Sequence, residues 1–391
     1  MTRVYEAAQP GGGTRLLVLG AGHYPFAQAS RAKVPKLADI ASAARSAVDF
    51  ATQALTAWQT LFRRPLASVD LLINDATAPD GLTFACEGVA ARKLDAPDMR
   101  NIPRARSDWL DGAGANDTLV FYCSGHGIWL PSVSNTFLAS DFGFDPELVW
   151  PNAVSIDLFI GGMAEQKPRE QWLIFDCCAN QAPPGLQNAR PAVSPLIESV
   201  SGRRKAMADT HGSLSQAIVY SASQGAPAFG RQNGRSRFMD VFIEACTGPG
   251  FTGQGEDGRW ELNVQSLEDA MASYRFRVAA REDDPYYTFP RLTTTDAEVP
   301  PILMARPAPA PCTLLVTSEP PIKLTQCRLD ILHDGLRIDG QQPGPLAEER
   351  FRRAVDPYAL YQVEAEWPEK LAVPAFSGTR RALPPLTRVK L

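Results

Sequence analysis

The sequence reads TLVFYCSGHG at residues 118–127 and QWLIFDCC at residues 171–178. Each stretch begins with a short apolar run, which is typical of a strand buried on both faces of a sheet. The first then presents a histidine between two glycines, and the second an aspartate followed by two cysteines. Reactive side chains collect beyond the carboxyl ends of parallel strands. We therefore expect both groups at one edge of the same sheet.

The surrounding sequence repeats the alternation of strand and helix. Short apolar runs predict further strands at residues 15–20, 69–73 and 217–221, and apolar residues at helical spacing predict helices at 37–62 and around 238–246. Fully apolar strands that alternate with helices require cover on both faces. The predicted fold class is therefore α/β, with a mostly parallel sheet flanked by helices on both faces.

The composition and the residue patterning of the sequence change after Pro300. The stretch ARPAPAPC at residues 305–312 is rich in proline and alanine and predicts an extended linker. Beyond it, partial period-two alternation in TLLVTS, CRLDILH and LYQVEAEW predicts a small all-β, sandwich-like domain, with a short helix at residues 346–355. We predict a flexible N-terminus at residues 1–13, an α/β domain at 14–306 and a small β-rich domain at 307–391.

Composition narrows the class of partner and the compartment. The chain has 39 basic and 43 acidic residues and a net charge of −4, so we expect neither nucleic acid nor a membrane as a partner. It lacks a signal peptide and any long apolar stretch, which favours a cytoplasmic location. Seven cysteines at irregular spacings argue against a disulfide framework and a structural zinc site. We expect no metal and no cofactor.

A cysteine and a histidine that meet at a sheet edge can carry out acyl transfer. The thiolate is the nucleophile, and an imidazole within reach lowers its pKa or takes its proton. We therefore predict a dyad of His126 and Cys178. The backbone N–H groups of Gly127 and Cys178 would donate to the developing oxyanion, an interaction that typically changes the rate by about 10²–10³-fold.

The SGHG motif after one strand and the Asp-x-Cys motif after a later one resemble the signature of caspases, metacaspases and their bacterial relatives. Cys178 follows His126 by 52 residues, close to the spacing of about 50 in caspases. The resemblance implies a caspase-like fold over about residues 15–306 and cysteine endopeptidase activity on protein or peptide substrates. It gives His126 the role of general base, Gly127 an oxyanion-hole role and Cys178 that of nucleophile.

The same resemblance suggests substrate-binding residues. By similarity, Asp176 lines a pocket for a basic residue, so that cleavage would follow Arg or Lys, and Ser221 lies in a substrate-binding strand and turn, IVYSASQG. A second acid of the family pattern is replaced here by Arg45-Ser46. The basic run at residues 203–205 is either a solvated surface segment or a site of self-cleavage. Likeness to the bacterial members implies a role as a defence or cell-death effector.

Other readings of the sequence remain open. The chain could be a catalytically silent caspase-fold module that binds a regulatory partner through the cleft or the C-terminal domain. Adjacent Cys177 and Cys178 could form a redox pair, although vicinal disulfides are strained. His23 lies near the end of the first strand and could border the cleft. The nearby Gly20-Ala21-Gly22 lacks the third glycine of a dinucleotide-binding loop, since Pro25 occupies that position.

Overall fold

A computed structural model describes most of the chain. The described residues are 2–7, 12–28, 36–130, 134–145, 147–148, 150–178, 180–181, 193–222, 234–277, 290–295, 300–320, 322–384 and 386–391. They form two compact units. The sheet unit comprises Met1–Ile243 and Pro285–Ala305, and the C-terminal unit comprises Glu244–Asp284 and Arg306–Leu391. The domain boundary that the sequence predicts at residue 306 stays a prediction.

Helices and strands alternate through the first two thirds of the chain. The helices are α1 (Ala41–Leu55), α2 (Ile102–Leu110), α3 (Ile156–Met163), α4 (Arg203–His211), α5 (Arg237–Thr247), α6 (Val264–Arg277) and α7 (Ile322–Thr325). The strands are β1 (Arg3–Glu6), β2 (Thr14–Ala21), β3 (Leu66–Asn74), β4 (Thr83–Cys86), β5 (Val89–Lys93), β6 (Thr118–Gly125), β7 (Gly127–Leu130), β8 (Ser134–Leu138), β9 (Ala153–Ser155), β10 (Glu170–Cys177), β11 (Asn180–Gln181), β12 (Ser215–Tyr220), β13 (Gly253–Gln254), β14 (Trp260–Asn263), β15 (Arg291–Thr294), β16 (Ile302–Arg306), β17 (Cys312–Thr317), β18 (Arg328–His333), β19 (Leu336–Gln341), β20 (Arg350–Val355), β21 (Leu360–Glu366), β22 (Phe376–Arg381) and β23 (Leu386–Lys390).

A seven-stranded sheet forms the centre of the sheet unit, in the order β1-β3-β2-β6-β10-β12-β15. The five inner strands are parallel, and the two edge strands are antiparallel to their neighbours. The apolar runs that predict the inner strands are buried along almost their whole length. The predicted mostly parallel α/β sheet is confirmed.

Helices cover both faces of this sheet, as β6 shows. Phe121 packs on one face against Trp109 of α2 and Phe159 of α3, with ring centroids 6.3 and 4.7 Å apart. Tyr122, next in the chain, points to the other face and stacks on Phe50 of α1 at 4.7 Å. Because successive side chains of a strand point to opposite faces, one strand anchors both helical layers.

Helix α1 is shorter than its periodicity predicts, because the chain turns after Leu55. The apolar residues beyond this point are buried without belonging to the helix: Trp58 packs edge-on against Phe50 of α1. Small residues let α1 lie close to β2. A Cβ on Gly20 would come within 2.7 Å of the Cβ of Ala47.

A second, four-stranded sheet, in the order β11-β7-β8-β9, extends from the carboxyl edge of the large sheet. Strand β7 begins two residues after β6 ends, and β11 begins three residues after β10 ends. Strands β11 and β7 remain parallel to each other. The chain segments that leave β6 and β10 therefore stay paired past the edge of the large sheet.

The C-terminal unit contains a β-sandwich. Its two sheets have the orders β20-β17-β23 and β19-β18-β21-β22, and they share one core, built from inward-facing residues such as Leu314, Phe351, Ile331 and Val363. The predicted sandwich-like β structure is confirmed. The helix predicted at residues 346–355 is wrong, since residues 350–355 form strand β20. Pairing of Phe351 with Val316 of β17 buries the apolar side chain, and this tertiary contact overrides the local helical preference.

Candidate active site

The two predicted reactive residues occupy matching positions at the carboxyl edge of the sheet. Strands β6 and β10 are parallel neighbours, and Gly125 pairs with Cys177 at their ends. Past the edge, Ile128 of β7 pairs with Asn180 of β11. Both pairs join residues 52 positions apart. His126 and Cys178 have the same spacing and lie between these pairs, so the register brings them side by side.

The imidazole of His126 is held in one orientation. Its Nε2 lies 2.8 Å from the carbonyl oxygen of Ala38, which can only accept a hydrogen bond. Nε2 therefore carries the proton, and Nδ1 is left unprotonated in the neutral ring. Burial lowers the pKa of His126 below its ordinary value of 6.5, against the opposing effects of the Ala38 carbonyl and the Asp39 carboxylate. The neutral ring is a base at physiological pH.

Tyr24 fixes the backbone of His126. Its buried hydroxyl accepts a hydrogen bond from the N–H of His126 at 2.8 Å and donates one to the carbonyl of Leu138 at 3.2 Å. The Tyr24 ring also packs against the imidazole, with centroids 4.9 Å apart. Sequence reasoning missed this residue. Its only signal was its place beside His23 after the first strand.

The loop after β2 also supports the base through Asp39. The Asp39 carboxylate accepts a hydrogen bond from the N–H of Tyr24 at 3.0 Å and lies 2.9 Å from Nδ1 of His23. His23 is thus partnered by an acid on the loop that holds His126. His23 follows β2, the strand that the sequence predicts at residues 15–20, and its side chain is partly buried.

Gly127 packs tightly against the cysteine segment. A Cβ added here would come to lie 2.2 Å from the carbonyl oxygen of Cys178 and 3.0 Å from that of Thr136. The N–H of Leu138 donates to the carbonyl of His126 at 3.0 Å. Directly opposed residues of antiparallel strands alternate between bonded and non-bonded pairs, so Gly127 and Phe137 form a non-bonded pair. The N–H of Gly127 accordingly points away from β8.

The two adjacent cysteines have different environments. Cys177 is the last residue of β10 and is buried, whereas Cys178 is partly exposed. The Cys177 thiol lies beside the buried thiol of Cys123, whose pKa is raised well above its ordinary value by burial and by its neighbour Cys177. Cys177 is therefore part of the core behind the edge, and Cys178 is the thiol on its accessible side.

Asp176 is buried, with 3% of its surface exposed, and is surrounded by hydroxyl groups. Its carboxylate accepts hydrogen bonds from Tyr122 at 2.9 Å, from Ser124 at 3.4 Å and from Ser236. The hydroxyl of Ser221 lies close enough to lower the pKa of Asp176, and it donates to the carbonyl of Cys177 at 3.4 Å. The structure thus brings Asp176 and Ser221 together, with Asp176 two residues before Cys178 on β10.

The negative charge of Asp176 has no cationic partner among the described residues. Burial raises the pKa of the carboxyl group, and the hydroxyl donors oppose this rise. Ser236 was missed from the sequence. Its N–H donates to the hydroxyl of Ser46 at 2.9 Å, so helix α1 reaches this cluster through a hydroxyl group. Arg45 itself is exposed.

The segment between the cysteine strand and β12 is described only in part. Residues 182–192 of this predicted loop lie outside the described residues. The basic run at 203–205 forms the first turn of helix α4, a helix without a buried residue. Basic residues in a first turn oppose the helix dipole, so α4 is weakly stabilised.

No group of three or more histidine, cysteine or acidic side chains is placed to hold a metal ion in the described ranges. No helix in the same part of the chain combines the length and the apolar composition needed to cross a membrane.

Comparisons with known proteins give only distant similarity. No family model and no curated protein sequence matches the chain. Among solved structures, protein GSU0716 of Geobacter sulfurreducens is 13% identical with a TM-score of 0.44, and the match covers 76% of this chain and 98% of that one. Caspase-1 of Spodoptera frugiperda is 11% identical with a TM-score of 0.39, covering 72% and 86%. Any function has to be derived from this chain's own residues.

Proposed function

We propose that the chain is a caspase-like cysteine endopeptidase whose catalytic dyad is His126 and Cys178. One observation carries the proposal. The base and the thiol share a register position at the carboxyl edge of two adjacent parallel strands, with the imidazole oriented by the Ala38 carbonyl so that Nδ1 is the free acceptor. A buried structural histidine would not require this placement beside a partly exposed thiol.

The reaction follows from the two side chains. Nδ1 of the neutral His126 imidazole takes the proton of the Cys178 thiol, and the resulting thiolate attacks the scissile carbonyl carbon. The oxyanion accepts hydrogen bonds from the N–H groups of Gly127 and Cys178. When the C–N bond breaks, the protonated imidazole of His126 gives its proton to the leaving amine. Water then attacks the thioester, His126 accepts its proton, and the carboxylic acid product and the free thiol are released.

We also propose that the substrate residue before the scissile bond is Arg or Lys. Asp176 supports this preference, because its buried carboxylate is neutralised by no cation among the described residues and lies beside Ser221. The hydroxyl donors of Tyr122 and Ser236 hydrogen-bond to the buried carboxylate, but they add no positive charge. A guanidinium or ammonium group of the substrate would supply the missing charge.

Turnover of fluorogenic tetrapeptides ending in Arg, Lys or Asp tests both proposals. Wild type should release the fluorophore from the Arg and Lys peptides, and Cys178→Ala should release none. Turnover of only the Asp peptide would contradict the basic preference. Equal signals from wild type and Cys178→Ala would contradict the peptidase and favour a module that uses the cleft for binding.

A further inference from the structure

A cavity of about 530 Å³ lies at the amino edge of the large sheet, opposite the candidate active site. Its lining includes Glu170 and Ser215, the first residues of β10 and β12, which pair with each other in the register of these strands. Strand β10 runs from Glu170 to Cys177, so about 23 Å of strand lies between the cavity and the cysteine segment. The cavity is therefore a site of its own.

The lining of this cavity carries an excess of positive charge. Its described charged residues are three arginines and one acid: Arg63, Arg64, Arg169 and Glu170. The Glu170 carboxylate already has its donors. Its Oε2 accepts from Nε of Arg64 and from the hydroxyl of Thr118, both at 3.2 Å, and its Oε1 accepts from the N–H of Ile302 at 3.2 Å. This acid therefore matches the charge of Arg64 and leaves that of the other lining arginines.

Arg169 is the buried cation of the cavity, with 6% of its surface exposed. Its Nε donates to the carbonyl of Gly212 at 3.1 Å, and its Nη1 donates to the carbonyls of Ala164 and Gln166, both at 3.0 Å. These bonds fix the plane of the guanidinium. Its Nη2 has no acceptor among the residues that the structure describes, and no carboxylate of the described ranges pairs with Arg169.

The unpartnered Nη2 of Arg169 indicates that the cavity takes an anion. A buried guanidinium is costly when its charge is unmatched and its last two N–H groups have no acceptor. The positive charge of Arg204 on α4 increases this cost: burial lowers the pKa of the Arg169 guanidinium, and Arg204 lowers it further. An oxyanion in the cavity would accept from Nη2 and neutralise the charge.

The rest of the lining indicates which oxyanion fits. Arg63 and Arg64 add two guanidinium groups, which are suited to phosphate oxygens, and Ser213 and Ser215 also line the cavity. Residues 300–302, with the sequence Pro-Pro-Ile, contribute an apolar part of the lining. The volume lies within the range of roughly 300–1,000 Å³ for small-molecule sites and is larger than a single ion needs. A phosphate joined to a small organic group matches all three features.

We propose that this cavity binds the phosphate group of a small organic phosphate monoester, with Arg169 as its buried donor. The phosphate oxygens accept from Nη2 of Arg169 and from the guanidinium groups of Arg63 and Arg64, and the organic group lies against residues 300–302. The inference is independent of the proposed peptidase function, because the lining residues contribute nothing to the proposed dyad.

Isothermal titration calorimetry of wild type with three probes tests the proposal: phenyl phosphate, phenol and inorganic phosphate. Phenyl phosphate should bind about 10-fold or more tightly than phenol, which lacks the phosphate, and than inorganic phosphate, which lacks the apolar group. Added salt should weaken its binding, because Arg63 and Arg64 are partly exposed.

Two results of this titration would count against the proposal. Equal affinity for phenyl phosphate and phenol, or no binding of either, would overturn the inference. Inorganic phosphate that binds as tightly as phenyl phosphate would assign the cavity to the free ion and overturn the choice of an organic ligand.

Arginine-to-glutamine variants locate the binding. Arg169→Gln should weaken the binding of phenyl phosphate by about 10-fold or more, and Arg63→Gln by about 3-fold or more, because each removes a charged donor. Arg100→Gln replaces an exposed arginine outside the cavity and is the matched control with unchanged affinity. If Arg169→Gln fails to fold, Arg63→Gln, at a partly exposed position, carries the test. Wild-type affinity in the folded cavity variants would contradict the assignment.

The same titration of Cys178→Ala separates this inference from the peptidase proposal. The thiol of Cys178 lies beyond the other end of β10, so its removal should leave the affinity for phenyl phosphate unchanged. Binding that Cys178→Ala abolishes and that Arg63→Gln and Arg169→Gln retain would place the ligand at the candidate active site and overturn the inference. Binding that follows the arginines supports the cavity even if wild type cleaves no peptide.

Discussion

Cys178 lies beside His126 because the 52-residue offset between β6 and β10 continues into β7 and β11. The neighbouring pairs, Gly125 with Cys177 and Ile128 with Asn180, bracket the two reactive residues. The spacing of the two motifs in the sequence is therefore the register of two parallel strands. A one-residue insertion within β10, between Phe175 and Cys178, would move the thiol to another register position or force a bulge.

Replacement of each adjacent cysteine in turn should identify the nucleophile. Cys178→Ala removes the accessible thiol, and we expect peptide cleavage to fall by about 10⁴-fold or more. Cys177→Ala removes a buried thiol that contacts Cys123, so it should cost some stability and leave kcat within a few-fold of wild type. Initial rates and alkylation by iodoacetamide measure both effects. A larger loss in Cys177→Ala than in Cys178→Ala would reassign the nucleophile.

The pH dependence should report the pKa of His126. Its value is lowered by burial, so the neutral base persists below pH 6.5, and kcat/KM should fall only as the pH drops through this lowered pKa. Asp39 acts in the opposite direction, and Asp39→Asn should move the acid limb to a still lower pH.

An NMR titration of the imidazole in Cys178→Ala separates the pKa of His126 from coupled titration of the thiol. His211 and His333 serve as internal references, whereas His23 contacts Asp39 directly and does not. A His126 pKa above 6.5, or one that Asp39→Asn raises, would contradict this account.

The proposed pair, His126 and Cys178, could be picked out from the sequence, whereas the residues that support it could not. His126 and Cys178 each follow an apolar run and come directly after the last residue of a strand, so the pattern places them at one edge. The Ala38 group that holds the imidazole is a backbone carbonyl, which any residue type could supply. Ser236 reaches Asp176 across 60 residues of sequence. Such contacts depend on tertiary packing between distant parts of the chain, so no local sequence pattern predicts them.

Gly127 should tolerate no side chain. In Gly127→Ala the new Cβ meets the Cys178 carbonyl oxygen at 2.2 Å, so the cysteine segment must shift. We expect a loss of about 1–3 kcal/mol of unfolding free energy and a loss of about 10²-fold in kcat. Gly161→Ala in α3 is the control, because its Cβ meets no atom within 4 Å and alanine favours helix by about 0.5–1 kcal/mol. Urea unfolding and initial rates test both variants, and wild-type kcat in Gly127→Ala would refute the tight contact.

Asp176→Asn should increase the stability of the fold at neutral pH and reduce cleavage after Arg. The raised pKa of Asp176 means that the folded state binds its proton more tightly than the unfolded chain, whose ordinary value is 3.8. The ionised group therefore destabilises the fold increasingly as the pH rises from 3.8 through the folded-state pKa. Asparagine removes this charge and keeps an oxygen that can accept from Tyr122 and Ser236. The variant should consequently unfold at a higher urea concentration than wild type at neutral pH and at the same urea concentration in acid.

The cleavage activity of Asp176→Asn after Arg should fall by about 30-fold or more, the typical cost of removing one member of a buried charge pair. Retained cleavage after Arg together with unchanged stability would show that Asp176 holds no substrate cation.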